Sequence, residues 1–268
     1  RRAIAFADGE LSLVFQGGEP SLVGLDFYQD LIRFEEMYNT KGLAIHHSIQ
    51  TNGYDLSDEL LQFLIQHHFL FGISLDGTSE THDRYRVTPK GEGTFKTVKQ
   101  TLDHILDLGG EANVLCVVTE DIAKEPKRIF NALKPYHFIQ FIPCMNSLDG
   151  ETSEYSLNPE TFGDFLIETF DLYKESLQRG EKISVRIFDN YLQMLQGYPP
   201  DTCAMMGVCA HYFVAEGDGT IFPCDFYCTD QWKLGNIHEQ SFPKMAKGNV
   251  AHAFVETSKT KPQACKDC

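Results

Sequence analysis

Short apolar runs alternate with longer amphipathic stretches through the first two-thirds of the chain. Five runs, LSLVF from Leu11, LAIHHSI from Leu43, FLFGISL from Phe69, NVLCVVT from Asn113 and HFIQFIP from His137, are near-continuously apolar or β-branched. That is the pattern of strands covered on both faces. Between them, apolar residues recur at helical spacing over residues 22–38, 57–67, 94–108 and 124–133, with Ser57 and Ser79 as expected helix caps. The alternation predicts right-handed βα units wound into an open or closed α/β barrel.

Such barrels collect function at the carboxyl ends of their strands. The unusual residues fall there: QGGEP after the first run, QTNG after the second, SLDG after the third and PCM after the fifth. A long amphipathic helix over residues 159–178 and a shorter one over 189–195 follow. The GYPPD stretch then predicts a domain boundary near residue 200.

Composition narrows the picture. With 268 residues, 42% hydrophobic and 12% aromatic, the chain can bury a full core. The net charge of −15 and the lack of any Lys/Arg cluster argue against nucleic acid as a partner. No apolar run approaches the roughly 20 residues of a membrane span, and RRAIAFADGE has no apolar signal region, so a cytoplasmic protein without membrane partners is expected.

The chemistry sits in two places. In FQGGEP, two glycines follow a strand and let backbone approach a ligand closely, while Pro20 suits the start of a helix. The stretch is neither a GxGxxG fingerprint nor a P-loop, which weakens nicotinamide and ATP readings. The second place is residues 203–228, which hold four of the eight cysteines. Eight cysteines in a large chain favour reduced thiols or metal ligands over a disulfide framework. Thiolates suit iron–sulfur clusters or zinc. The stretch YFVAEGDGTIFPC reads as a β-hairpin turning at EGDG, which would bring Cys209 and Cys224 together. Cys116 and Cys144 lie in strand-like runs and read as small core residues. The pairs His46/His47 and His67/His68 lack ligand spacing and read as structural or surface residues.

The order GGEP, TNG, then SLDG with HDRYR behind it, closing on a cysteine-rich segment, resembles the radical S-adenosylmethionine enzymes with a SPASM extension. The cysteine pattern supports this: Cys209 to Cys224 reads C-x9-G-x4-C with Gly219 as its glycine, and Cys265-x2-Cys268 follows. Within that group, GVC, PCDFY and LGNI most resemble the anaerobic sulfatase-maturating enzymes. The resemblance implies a partial (β/α)6 TIM-type barrel over residues 1–200, with its first βα unit missing, and the N-terminal part of a SPASM domain over residues 201–268. It implies S-adenosylmethionine bound by Gln16, Gly17, Gly18 and Glu19, with Ser74, Asp76 and Arg86 nearby, Arg86 gripping the cofactor carboxylate, and Met145 on the adenine side or in the core. It further implies three 4Fe-4S clusters in the intact protein. Cys203, Cys209 and Cys224 would serve one auxiliary cluster and Cys265 and Cys268 another, leaving Cys228 a free thiol or local substitute. Asp225 would be the base that takes a proton from a client sulfatase while its Cys or Ser is oxidised to Cα-formylglycine. The partners implied are that sulfatase and an electron donor such as flavodoxin or ferredoxin. Two other readings keep the same cysteines: a SPASM maturase forming thioethers in a ribosomal peptide, and a non-catalytic zinc- or client-binding protein.

The sequence departs from the family pattern in one respect. The family's Cys-x3-Cys-x2-Cys triplet is absent, and the remaining auxiliary ligands would lie beyond Cys268. The expectation is therefore a chain truncated at both ends and inactive by itself.

Overall fold

The computed structural model describes residues 1–147, 151, 153, 155–263 and 266. Six strands, β1 Glu10–Phe15, β2 Ala44–Thr51, β3 Leu70–Ser74, β4 Glu111–Val118, β5 Phe138–Pro143 and β6 Ser184–Val185, form one sheet in chain order. Every neighbouring pair is parallel, as Phe15 beside Ile49, Thr51 beside Ile73 and Ser74 beside Leu115 illustrate. Sequential parallel strands joined by helices are the partial TIM-type barrel architecture. The five apolar runs each supply a strand. The sixth, two residues long, is too short to leave a pattern in the sequence.

Burial follows strand position. β3 and β4 have neighbours on both sides and bury Phe71, Ile73, Val114, Cys116 and Val118, whereas β1, paired only with β2, alternates exposed and half-buried positions. Helices Leu25–Tyr38, Asp58–Gln66, Phe95–Asp107, Pro126–Leu133 and Pro159–Gln178 cover the sheet. Under the first of them, Tyr28 and Phe69 both pack on Phe15, with centroids 5.4 and 6.1 Å away, and the Tyr28 hydroxyl donates to the Pro20 carbonyl at 2.9 Å. Ser57 caps its helix as expected, accepting from Leu60 N at 3.3 Å. Ser79 does not: Thr78 is the cap and exchanges bonds with Thr81 in a capping box, so Ser79 is the first helical residue. The cap expected at Ser79 therefore lies one residue earlier, because Thr and Ser satisfy the same orphan amides.

The chain divides into two compact units. Residues 10–36 and 44–189 form the barrel unit, and residues 1–9, 37–43 and 190–268 form the other. In the second unit β7 Val214–Ala215, β8 Thr220–Phe222 and β9 Gly235–Asn236 make an antiparallel sheet. Its core is Ile221, Phe242 and Met245, with Ala3, Phe213, Leu234 and Ile237 packed around them. Phe6, from the short helix Arg2–Phe6, meets the Phe213 ring edge-on at 5.6 Å. Among the described residues no helix is long and apolar enough to cross a membrane.

Candidate functional site

Because the strands are parallel, the loops after Phe15, Thr51, Ser74, Val118 and Pro143 all leave the same edge of the sheet. Glu19 ties two of them together. Its Oε1 accepts from Ser21 N at 3.1 Å and Thr51 Oγ1 at 2.7 Å, and its Oε2 accepts from Asn52 N at 2.8 Å. Thr51 Oγ1 in turn accepts from Gly53 N at 3.1 Å. The GGEP carboxylate therefore fixes the TNG loop. Gly17 and Gly18 stand ahead of it at φ +80° and +55°, exposed, with no atom near the space a side chain would fill. That leaves backbone available for close approach by a ligand.

The SLDG loop builds the second part. Asp76 is buried, its Oδ1 accepts from Val117 N at 2.8 Å, and its Oδ2 receives Nε of Arg86. Gly77 at φ +80° makes the turn possible, since a Cβ there would lie 2.5 Å from Ile129 Cδ1. Arg86 spends its Nε edge on Asp76, with Nη2 a longer 3.5 Å from Oδ1. Its Nη1 has no hydrogen-bond partner among the described residues, and 27% of the side chain is exposed. A guanidinium held along one edge can still present the end-on Nη1/Nη2 pair to a carboxylate.

The remaining residues of this edge differ in their setting. Ser74 and Gln16 are half-buried at the ends of β3 and β1. Met145, beyond β5, is 74% exposed, so core packing does not explain it. Cys116 is fully buried, as expected, and burial drives its thiol pKa well above the usual range. Cys144 is only half-buried at the strand end, its thiol raised by burial and secondarily by Asp76. His47 is structural: it lies between Glu35, at 2.9 Å, and a parallel Phe69 ring.

In the second unit the EGDG hairpin forms as expected. Glu216 N donates to Thr220 O and Gly219 N to Glu216 O, while Tyr212 N donates to Pro223 O at 3.0 Å. This register sets Tyr212 beside the turn that carries Cys224 and Asp225. The Tyr212 hydroxyl donates to Asp225 Oδ1 and stands 3.7 Å from Cys224 Sγ. Phe226 N also donates to Asp225 Oδ1, at 3.1 Å, and Cys224 Sγ lies 3.5 Å from it. Burial, followed by the bond to Asp225, raises the Tyr212 phenol, and burial foremost raises the Cys224 thiol. Tyr212 was not singled out from sequence. Its signal is its place opposite Pro223 in the hairpin, which no motif records.

Cys203 is exposed and Cys209 half-buried, both free, and Cys209 N is fixed by Ser258 Oγ at 2.9 Å. Cys228 is exposed, with its thiol 3.6 Å from the Cys224 carbonyl. Cys265 and Cys268 lie outside the described residues. Among the described residues no three His, Cys, Asp or Glu side chains stand together as a metal-holding group. The donor chemistry nevertheless fits the expected groups: the hairpin offers free, accessible thiols suited to iron–sulfur ligation. The barrel edge offers open glycine backbone and a guanidinium edge suited to an amino-acid ligand.

Known proteins resemble the chain in both of its parts. Residues 1–133 match the Radical SAM superfamily, and residues 206–268 match the SPASM iron-sulfur cluster-binding domain. A cysteine-type anaerobic sulfatase-maturating enzyme of Clostridium novyi is 38% identical over all of this chain and 73% of its own length. A serine-type enzyme of Bacteroides thetaiotaomicron is 31% identical over 97% of this chain and 66% of its own length. The solved structure of native anSMEcpe with bound AdoMet and Cp18Cys peptide superposes with a TM-score of 0.96 at 36% identity, covering all of this chain and 75% of that one. A chain with these loops, these thiols and this extent of similarity belongs to the anaerobic sulfatase-maturating enzymes, a family of radical SAM enzymes with a SPASM domain.

Proposed function

We propose that the intact protein oxidises a Cys or Ser of a client sulfatase to Cα-formylglycine. The observation that carries the proposal is the pairing in one turn of a thiol, Cys224, with a carboxylate, Asp225, that Tyr212 and Phe226 N hold in place. S-adenosylmethionine and iron–sulfur clusters, when bound, supply hydrogen-atom abstraction from the client Cβ and acceptance of the remaining electron. The chain's own residues do the rest. Asp225 accepts the proton from the client thiol or hydroxyl. Gln16, Gly17, Gly18 and Glu19 form the cofactor loop with Ser74, Asp76 and Met145, and Arg86 takes the cofactor carboxylate on its free edge. Cys203, Cys209 and Cys224 would hold one auxiliary cluster, and Cys265 and Cys268 would contribute to a second. Residues 1–200 then serve the cofactor and residues 201–268 the auxiliary clusters. The same reading gives the protein an electron donor of the flavodoxin or ferredoxin type and a cytoplasmic place of work.

The test is anaerobic incubation of the full-length, cluster-loaded protein with S-adenosylmethionine, a reductant and a peptide carrying a sulfatase's target cysteine. Mass spectrometry should find the thiol replaced by an aldehyde that hydrazides trap. Asp225→Asn should lower aldehyde formation by about 10²–10⁴-fold, the usual weight of a general base. A peptide recovered with a thioether or other cross-link, and no aldehyde, would overturn the reading.

A further inference from the structure

Between Asp76 and Arg86 the chain folds around one histidine that the proposed chemistry does not use. His82 is 0% exposed. Its Nδ1 lies 3.2 Å from Asp76 N, its Nε2 3.0 Å from Thr94 Oγ1, and Thr94 Oγ1 lies 2.8 Å from Arg86 O. The two ends of this relay fix every proton in it. A backbone N–H can only donate and a carbonyl can only accept. Nδ1 must therefore be the acceptor, Nε2 must carry the hydrogen and donate to Thr94, and the Thr94 hydroxyl must donate to Arg86. Only a neutral ring satisfies the chain, because a proton on Nδ1 would face the Asp76 N–H. Burial pushes the His82 pKa down to about 4, in keeping with a neutral ring.

The surroundings hold the relay rigid. His82 N donates to Thr78 O, Arg86 N donates to His82 O, and Thr94 N donates to Arg86 O. The Phe95 ring meets the imidazole edge-on at 5.7 Å, and Asp83 Oδ1 takes Phe95 N at 2.7 Å. The relay thus joins the backbone of Asp76 to the backbone of Arg86, the two residues whose side chains also pair. With both ends of the pair fixed, the guanidinium keeps its Nε edge on Asp76 and has one direction in which to present Nη1.

We propose that His82, acting through the Thr94 hydroxyl, is a positioning residue that aims the Arg86 guanidinium at the carboxylate of S-adenosylmethionine. The inference rests on the reading of Arg86 given above. Neither His82 nor Thr94 touches the cofactor. Their effect falls on ligands that carry the amino-acid carboxylate and spares those that lack it.

The experiment is calorimetric titration of the anaerobically purified, cluster-containing full-length protein with S-adenosylmethionine and with methylthioadenosine, which lacks the amino-acid portion. Thr94→Val removes the hydroxyl while keeping the side-chain shape. It should weaken S-adenosylmethionine about tenfold, or about 1.4 kcal/mol, and change methylthioadenosine by less than about twofold. Thr94→Ser, which keeps the hydroxyl, should restore wild-type discrimination. If Thr94→Val fails to fold, His82→Asn takes its place, since it keeps an acceptor for Asp76 N and loses the donor to Thr94. Equal weakening of both ligands, unchanged binding of both, or a Thr94→Ser as weak as Thr94→Val would overturn the proposal. Arg86→Gln separates the two levels of the argument. Loss of discrimination there with none in Thr94→Val sinks the relay alone, whereas unchanged discrimination in Arg86→Gln sinks the role of Arg86 and the relay with it.

Discussion

The barrel edge and the cysteine hairpin carry different donors and are built in opposite ways. At the barrel edge the charged groups are spent on the fold: Glu19 accepts from three donors of the chain, and Asp76 is buried between Val117 N and Arg86. At the hairpin the reactive groups crowd one another. The Tyr212 hydroxyl donates to Asp225 beside the turn that also carries Cys224, and Tyr212 and Cys228 are exposed. Folding of the βα loops sets the first before any ligand arrives, whereas the thiols of the second would have to shed protons to ligate a metal, which would couple their chemistry to binding.

If the barrel edge is interlocked, its stability should register the protonation state of its buried histidine. In an unfolded chain His82 titrates near about 6.5, and in the folded chain near about 4. Between those values only the unfolded chain binds the proton, so acidification through this window draws the equilibrium toward unfolding. The stabilising contribution is whole above about 6.5, falls as pH drops, and is fully lost below about 4, for a total of about 3 kcal/mol. Asp76 and Asp83 face the ring and favour its charged form, while Arg86 opposes it, yet burial outweighs them. Denaturant unfolding followed by circular dichroism from about pH 7 to about pH 5 should show a slope in the wild type that is reduced in His82→Asn. Equal slopes would break the contrast.

The legibility of the two regions in the sequence differs for the same reason. Continuous apolar runs wrote all five long strands, and the helix over residues 159–178 was visible to its last residue. β6 left no trace because two residues carry no period, and the cap at Thr78 was misplaced by one because Ser and Thr do the same work. Motif residues such as Glu19, Asp76 and Arg86 were legible as chemistry. What they bond to was not: Asn52 N and Val117 N are backbone groups without a sequence signature. His82 stood inside HDRYR without a role, since its relay to Thr94 spans twelve positions and closes only in three dimensions. Tyr212 was invisible until the hairpin register placed it beside Asp225.

A smaller test addresses Glu19 itself. Glu19→Ala leaves Ser21 N, Thr51 Oγ1 and Asn52 N without their shared acceptor. Hydrogen bonds to a charged group contribute about 1.5–3 kcal/mol, and the site is only half-buried, so water replaces part of what is lost. A destabilisation of about 2 kcal/mol in chemical denaturation is expected, with weaker S-adenosylmethionine binding because the glycines ahead of Glu19 lose their anchor. Glu19→Gln should cost less, since its remaining oxygen still accepts. Stability unchanged in Glu19→Ala would show that the two loops hold their places without the bridge.

The smallest effect is expected at the hairpin, and it tests the other side of the contrast. Tyr212→Phe removes the hydroxyl that donates to Asp225, but Phe226 N still donates to the same oxygen at 3.1 Å. Tyr212 is 44% exposed, so water can take the vacated position. Stability should change by no more than about 0.5 kcal/mol, as for surface substitutions away from special features. The rate of aldehyde formation should nevertheless fall about tenfold with little change in KM, because the proposed base, once loosened, spends less of its time in line with the client's proton. A carboxylate that keeps Phe226 N as a donor tolerates the loss of the Tyr212 hydroxyl in structure and shows it only in rate. A large drop in stability with an unchanged rate would mean that Tyr212 braces the hairpin and that Asp225 needs no such help.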